Sequence, residues 1–170
     1  MTKLASRVAA VAVALVVAVS TSLLNGSPAM AAVWPVNHTV PVEKNNGARI
    51  SAPDTSGMTC AGNRPPLTPD AYVCWRANGD DWFVKDNSAD GHSVAALWED
   101  NSCPTSACDT LNRQGECRNP YGAGTWVWCN KDYTEGHTMF FTAATTEAFD
   151  VVDQGIWFAC PKQVSCHPLM

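Results

Sequence analysis

From Tyr72 onward, short apolar runs bounded by turn residues replace the loop-like composition upstream, the pattern of β-strands. Tyr72-Val73-Cys74-Trp75-Arg76 and Asp81-Trp82-Phe83-Val84-Lys85 are rich in aromatic and β-branched residues, which suit a pleated surface. Asn78-Gly79 lies between them and is a strong hairpin signal. A two-residue turn there sets a register in which Arg76 faces Asp81, Trp75 faces Trp82 and Cys74 faces Phe83. One face then carries Val73, Trp75, Trp82 and Val84, and the other Tyr72, Cys74 and Phe83. Both faces are apolar, so this hairpin is either buried on both sides or shows one side to a ligand.

The same pattern predicts strands over His92–Glu99, Arg113–Asn119, Thr125–Asn130 and Thr138–Thr145, with one or two more inside Phe149–Ala159. Asp100–Leu111 reads as a loop. Cys117–Asp132 reads as a second hairpin about Pro120-Tyr121-Gly122-Ala123-Gly124. In it Cys117 opposes Cys129, Arg118 opposes Trp128 and Asn119 opposes Val127. Opposed cysteines are close enough to bridge, and the arginine would lie over the indole. No segment has a sustained helical period; Ala143–Phe149 has room for one turn. Lys85–Ser93 and Lys131–Thr138 are similar, each following a tryptophan-bearing strand and preceding an apolar one. Two stacked hairpins would explain the echo, and so would common turn chemistry. The fold class expected is all-β, a small disulfide-rich antiparallel β-sandwich.

Composition changes the picture upstream. Residues 32–70 hold Pro35, Pro41, Pro53, Pro65, Pro66 and Pro69, and read as an extended arm with at most a short edge strand at Val40–Val42 or Arg49–Ser51. Residues 1–31 have Lys3 and Arg7, an apolar run from Val8 to Val19, and Ala29-Met30-Ala31. A basic start, a short apolar run and a small-residue site define a secretory signal peptide, with cleavage expected after Ala31. The run is too short to span a bilayer as a helix. The organisation expected is a signal peptide (1–31), a Pro-rich arm (32–70) and a β domain (71–170). The product is expected to be secreted, extracellular, monomeric and free of the membrane after cleavage. Its formal charge of −5 becomes more negative once Lys3 and Arg7 leave, which disfavours nucleic acid and anionic membranes as partners.

Eight cysteines in an exported chain imply disulfides, and the number of ways to pair them is about a hundred. Pairing by neighbours gives Cys60–Cys74, Cys103–Cys108, Cys117–Cys129 and Cys160–Cys166. None of these spacings is a C-x-x-C metal pattern. Neither a metal nor another cofactor is expected.

Candidate chemistry centres on aromatic residues. Trp126 and Trp128 point to one face of their strand, and an aromatic platform stacks on sugar rings or on a peptide. Tyr133, Trp75 and Trp82 complete the candidate ligand set; tryptophans filling a small core are the competing reading. Asp86–Gly91 partly follows a calcium loop, D-x-S-x-D-G, yet its twelfth position is Leu97 instead of the closing glutamate, and an Asx-type turn fits better. His38, His92, His137 and His167 are the histidines available for acid–base work. Asp90, His92 and Ser93 are adjacent in sequence, but neighbours on a strand point apart. Glu99, Asp100, Asp132 and Glu135 supply carboxyl pairs of the kind any acidic surface offers. No catalytic residue is assigned.

As a set, Phe83-Val84-Lys85-Asp86, Ala89-Asp90-Gly91-His92-Ser93, Cys117-Arg118-Asn119, Gly122-Ala123-Gly124-Thr125-Trp126, Cys129-Asn130-Lys131-Asp132 and Glu135-Gly136 resemble small secreted proteins of actinobacteria, streptomycetes especially. The resemblance covers about residues 72–143 and implies a host type and export. It implies no activity and no functional residues. The function expected is non-catalytic binding of an extracellular polysaccharide, protein or cell-surface component. An inhibitor of extracellular hydrolases that presents the Cys103–Cys108 loop, and a small secreted hydrolase, are the alternatives.

Overall fold

Twelve strands, arranged in two sheets, account for nearly all the regular structure of a computed structural model that describes residues 39–64, 68–103, 110–161 and 166–169. These residues all lie in one compact unit, Ala31–Met170. Residues 1–31, expected to form a signal peptide, fall outside them, as do His38 and Cys108. The strands are β1 (Val42–Asn46), β2 (Ala48–Ile50), β3 (Thr59–Gly62), β4 (Ala71–Arg76), β5 (Asp81–Asp86), β6 (Ser93–Ser102), β7 (Thr110–Asn119), β8 (Trp126–Asn130), β9 (Thr138–Glu147), β10 (Asp150–Gln154), β11 (Phe158–Cys160) and β12 (His167–Pro168). One sheet has the order β1-β7-β6-β9-β11-β12, with β10 also on β9, and the other has the order β2-β8-β5-β4-β3. The protein is a disulfide-rich all-β sandwich. Among the described residues no helix is long and apolar enough to cross a membrane.

The β4–β5 register is the one expected: Arg76 pairs with Asp81, Trp75 with Trp82 and Cys74 with Phe83. The turn differs. Positive φ falls at Gly79 and Asp80, not at Asn78, while the Asp80 N–H still donates to the Ala77 carbonyl at 3.4 Å across Asn78-Gly79. Asp80 is held there from outside the hairpin: its carboxylate accepts the Tyr133 N–H at 3.0 Å and its carbonyl the Lys131 N–H at 2.9 Å.

The second hairpin does not form. β7 already has β6 on one edge and β1 on the other, and β8 lies between β5 and β2 in the opposite sheet. Residues 120–125 are therefore a crossover, and Cys117–Cys129 is a staple between sheets with a Cα separation of 6.0 Å. Arg118 does not meet Trp128. Its guanidinium donates to Ser93 Oγ at 2.7 Å and lies over Phe149. Asn119 ties the crossover instead, donating to the carbonyls of Val84 and Thr125 and accepting the Tyr121 N–H.

The segment expected as an arm supplies three paired strands. β3 lies antiparallel to β4 with Cys60 opposite Cys74, and the two are bridged. β1 runs parallel to β7, which departs from the antiparallel expectation; no hairpin joins the two, so either direction was open to it. After β1 the chain changes sheets at Gly47, and β2 pairs with β8. A side chain at Gly47 would strike Val127, so this close passage needs glycine. Cys160–Cys166 is also bridged, which makes three of the four neighbour pairings observed; the fourth needs Cys108.

The echo is structural. β5 to β6 and β8 to β9 each cross from the five-stranded to the larger sheet, β5 pairs with β8, and β6 pairs with β9. The crossovers turn on Gly91 and Gly136, both with left-handed φ. Their strands are not hairpins but equivalent rungs of two facing layers.

Between the layers lies a single main core. Val73, Trp75, Trp82, Val84 and Val127 meet Val94, Ala96, Trp98, Met139 and Phe141. Trp82 crosses the interface to Phe141 at 5.2 Å between ring centroids. Gly115 faces this core on β7, where an added Cβ would collide with the Trp98 ring and the Glu43 carbonyl. Gly115→Ala is expected to lower unfolding free energy by about 1–3 kcal/mol, the usual cost of overpacking. A urea midpoint equal to wild type would show that β1 yields without cost.

Candidate functional site

Strand alternation divides the five-stranded sheet into an inner and an outer face. Val127 and Cys129 point inward on β8, so Trp126, Trp128 and Asn130 point outward. The register continues the outer rows across the sheet. Ile50, Trp126, Lys85, Tyr72 and Gly62 form one row, and Ala48, Trp128, Phe83, Cys74 and Cys60 the next. Asn130, Asp81 and Arg76 form a third.

These side chains brace one another. Tyr72 meets Trp126 edge-on with centroids 6.1 Å apart, and the Lys85 ammonium lies 5.9 Å from the Trp126 ring centre. Arg76 lies over Phe83 at 4.8 Å, which leaves that ring 5 % exposed. Trp128 is the most open of the four aromatics, 36 % exposed, and its indole N–H donates to Asp81 Oδ1 at 2.6 Å. Asp81 also accepts from Asn130 and from Arg76. Burial works against its charge, yet these hydrogen bonds hold its carboxyl below the usual range. Trp128 is thereby fixed by its polar edge while its ring stays open. That arrangement can receive a flat apolar surface such as the CH face of a sugar ring.

The structure separates the five residues expected to bind. Trp126 and Trp128 share the outer face. Trp75 and Trp82 are 1 % and 0 % exposed and stack on each other inside the core. Tyr133 is buried with them; its hydroxyl accepts the Trp82 indole N–H at 2.8 Å, and burial pushes its ionisation well up. Tyr133 sits in a loop after β8, where no strand alternation announces its direction. The sequence reading missed Asp81 and Lys85 as outer-face neighbours of the tryptophans, although the register makes them so. Tyr121, in the crossover beside this sheet, is 50 % exposed.

The histidines and acids organise differently. His137 Nδ1 lies 2.7 Å from Asp100 Oδ1, an acid–base dyad the sequence did not pair. Burial raises the Asp100 carboxyl, and His137 opposes that shift. Among the described residues no hydroxyl or thiol is seen hydrogen-bonded to the second ring nitrogen. His92 meets Asp90 through its backbone N–H, not its ring, and Asp86 likewise takes the Ser88 N–H: the calcium-like stretch folds as Asx turns. His167 is exposed on β12. Glu99 and Asp100 are neighbours on β6 and so project to opposite faces of their sheet. At the sandwich edge Glu43 binds Arg113 at 2.8 Å and Lys131 at 2.9 Å; although burial opposes it, these partners hold Glu43 below the usual range.

The chain matches no protein-family model, no curated protein and no solved structure.

Proposed function

We propose that this protein is an exported, non-catalytic binding module that takes an extracellular polysaccharide on the outer face of its five-stranded sheet. One observation carries the reading: Trp126 and Trp128 sit two residues apart on β8, face outward, and are held in place by Tyr72 and Asp81. Large rings kept out of the core and pre-set by neighbours lose little freedom when a ligand stacks on them. The signal-like residues 1–31, the disulfides and the resemblance to exported actinobacterial proteins support the extracellular setting. Mass spectrometry of the protein from culture medium should find a chain beginning at Ala32.

The test is affinity electrophoresis through gels containing soluble polysaccharides. Wild type is expected to be retarded by at least one polymer. Trp126→Ala and Trp128→Ala should weaken binding about tenfold or more, in line with the 1–3 kcal/mol typical of an aromatic stacking contact. Melting temperature should stay close to wild type, because neither ring is in the core. Retardation by no polymer, or equal retardation of wild type and both variants, would sink the proposal.

A further inference from the structure

Two cations stand on the outer face with the tryptophans, Lys85 and Arg76. Asp81 is the single carboxylate on the outward strand positions of this sheet, and it is already saturated. One oxygen accepts from Trp128 and Asn130, and the other accepts from Arg76. It is also buried: its side chain is 6 % exposed, whereas the Arg76 side chain above it is 45 % exposed. Lys85 lies between Trp126 and Tyr72 in the row, and among the described residues no carboxylate is within ion-pair distance of its ammonium. A chain of net charge −5 thus shows aromatic rings, an unpaired ammonium and an outward guanidinium on this one face.

We infer that the face selects a carboxylate-bearing polysaccharide, a uronate polymer, whose ring stacks on Trp126 and Trp128 while its carboxylate binds Lys85. This rests on the binding reading above and narrows its ligand class. Neutral glycans present hydroxyls but no charge for the Lys85 ammonium to meet. A uronate adds a charged acceptor to the same stacking ring, and a charge-assisted contact is stronger than a neutral one. The face lies within a sheet, where the strands' own ladder uses the backbone groups. The tryptophan-bearing strand β8, flanked by β5 and β2, therefore offers an acidic peptide no edge to pair with.

Binding of polygalacturonate, alginate and hyaluronan is compared with binding of the same polymers after carboxyl reduction, and with polyglutamate. At least one uronate polymer should bind more tightly than its reduced form, and the preference should shrink as salt rises from about 20 to 300 mM. Lys85→Gln should lower uronate affinity about three- to fivefold, the size of an exposed ion pair, and Lys85→Arg should restore it. Circular dichroism checks that both variants fold. Equal affinity for intact and reduced polymers, or an unaltered preference in Lys85→Gln, would overturn the uronate assignment and leave the platform standing. Polyglutamate binding as tightly as uronate would overturn the glycan. Binding of none of these polymers, charged or neutral, would count against the uronate assignment; the wider panel above then decides whether the platform itself fails.

Discussion

Replacing Cys117 and Cys129 together by alanine is expected to lower unfolding free energy by about 3 kcal/mol, and the melting temperature by roughly 10 °C, in a domain of this size. The staple closes a 12-residue separation, so the entropy it removes from the unfolded chain is ordinary for its loop. Its position makes the native-state consequence larger. Cys60–Cys74 joins strands that already share a hydrogen-bonded register, whereas Cys117–Cys129 joins two layers that meet only through side chains. Both of its cysteines lie in the main core, 0 % and 7 % exposed, so reductant should spare it until the domain opens. Denaturant titration of the double variant, beside the matching Cys60/Cys74 variant, measures this. A melting-temperature shift below about 2 °C in a parallel thermal scan would mean that the aromatic packing holds the layers unaided.

Stability should be highest near pH 4–5 and fall as pH rises toward 7. Glu99 and Glu116 lie on the outward side of the larger sheet, on β6 and β7, 8 % and 1 % exposed. Burial pushes each carboxyl from an ordinary 4.5 up to about 7. Lys44 and Arg118 pull Glu116 back only in part; both cations lie over Phe149 instead. Below the ordinary pKa both states of the protein are protonated and nothing is lost. As pH rises past it the unfolded chain ionises first, and the folded state falls behind until its own pKa is passed. The loss then levels off, at about 3 kcal/mol or less for each carboxyl. At the acid end Glu43 and Asp81, whose pKa values are lowered, withdraw their contribution as they protonate. Chemical denaturation from pH 4 to pH 9 tests the profile. Glu99→Gln and Glu116→Gln should each raise stability at pH 8 and flatten the slope. A slope unchanged by both variants would refute the assignment.

Where two strands are adjacent in sequence, the alternation alone was enough: β4 and β5 pair as their apolar pattern predicts, and β6, β8 and β9 begin within a residue of the expected positions. The pattern failed where pairing is long-range. Nothing near Cys117 or Trp126 says that β7 and β8 belong to different layers. That follows from β1, β2, β5 and β6 occupying their edges. The short β1, β2 and β3 carry loop-like residues and are strands because of what they lie beside. At the candidate site, alternation placed Trp126 with Trp128 but could not say which side faced water. Both faces of the β4–β5 hairpin are apolar, and the choice of Trp75 and Trp82 over Tyr72 and Phe83 for the interior is made by the opposing layer.

The pairing of β1 with β7 also sets an order on assembly. Asn46 and Arg118 are 72 residues apart, and the sandwich edge is unfinished until they meet. A chain that emerges amino-terminus first therefore carries its closing strand idle while everything up to Asn119 follows. Such long-range closure is slow compared with hairpin formation. If the chain threads an export channel, that delay keeps it slack during passage, and the layers lock once the far side holds the whole domain.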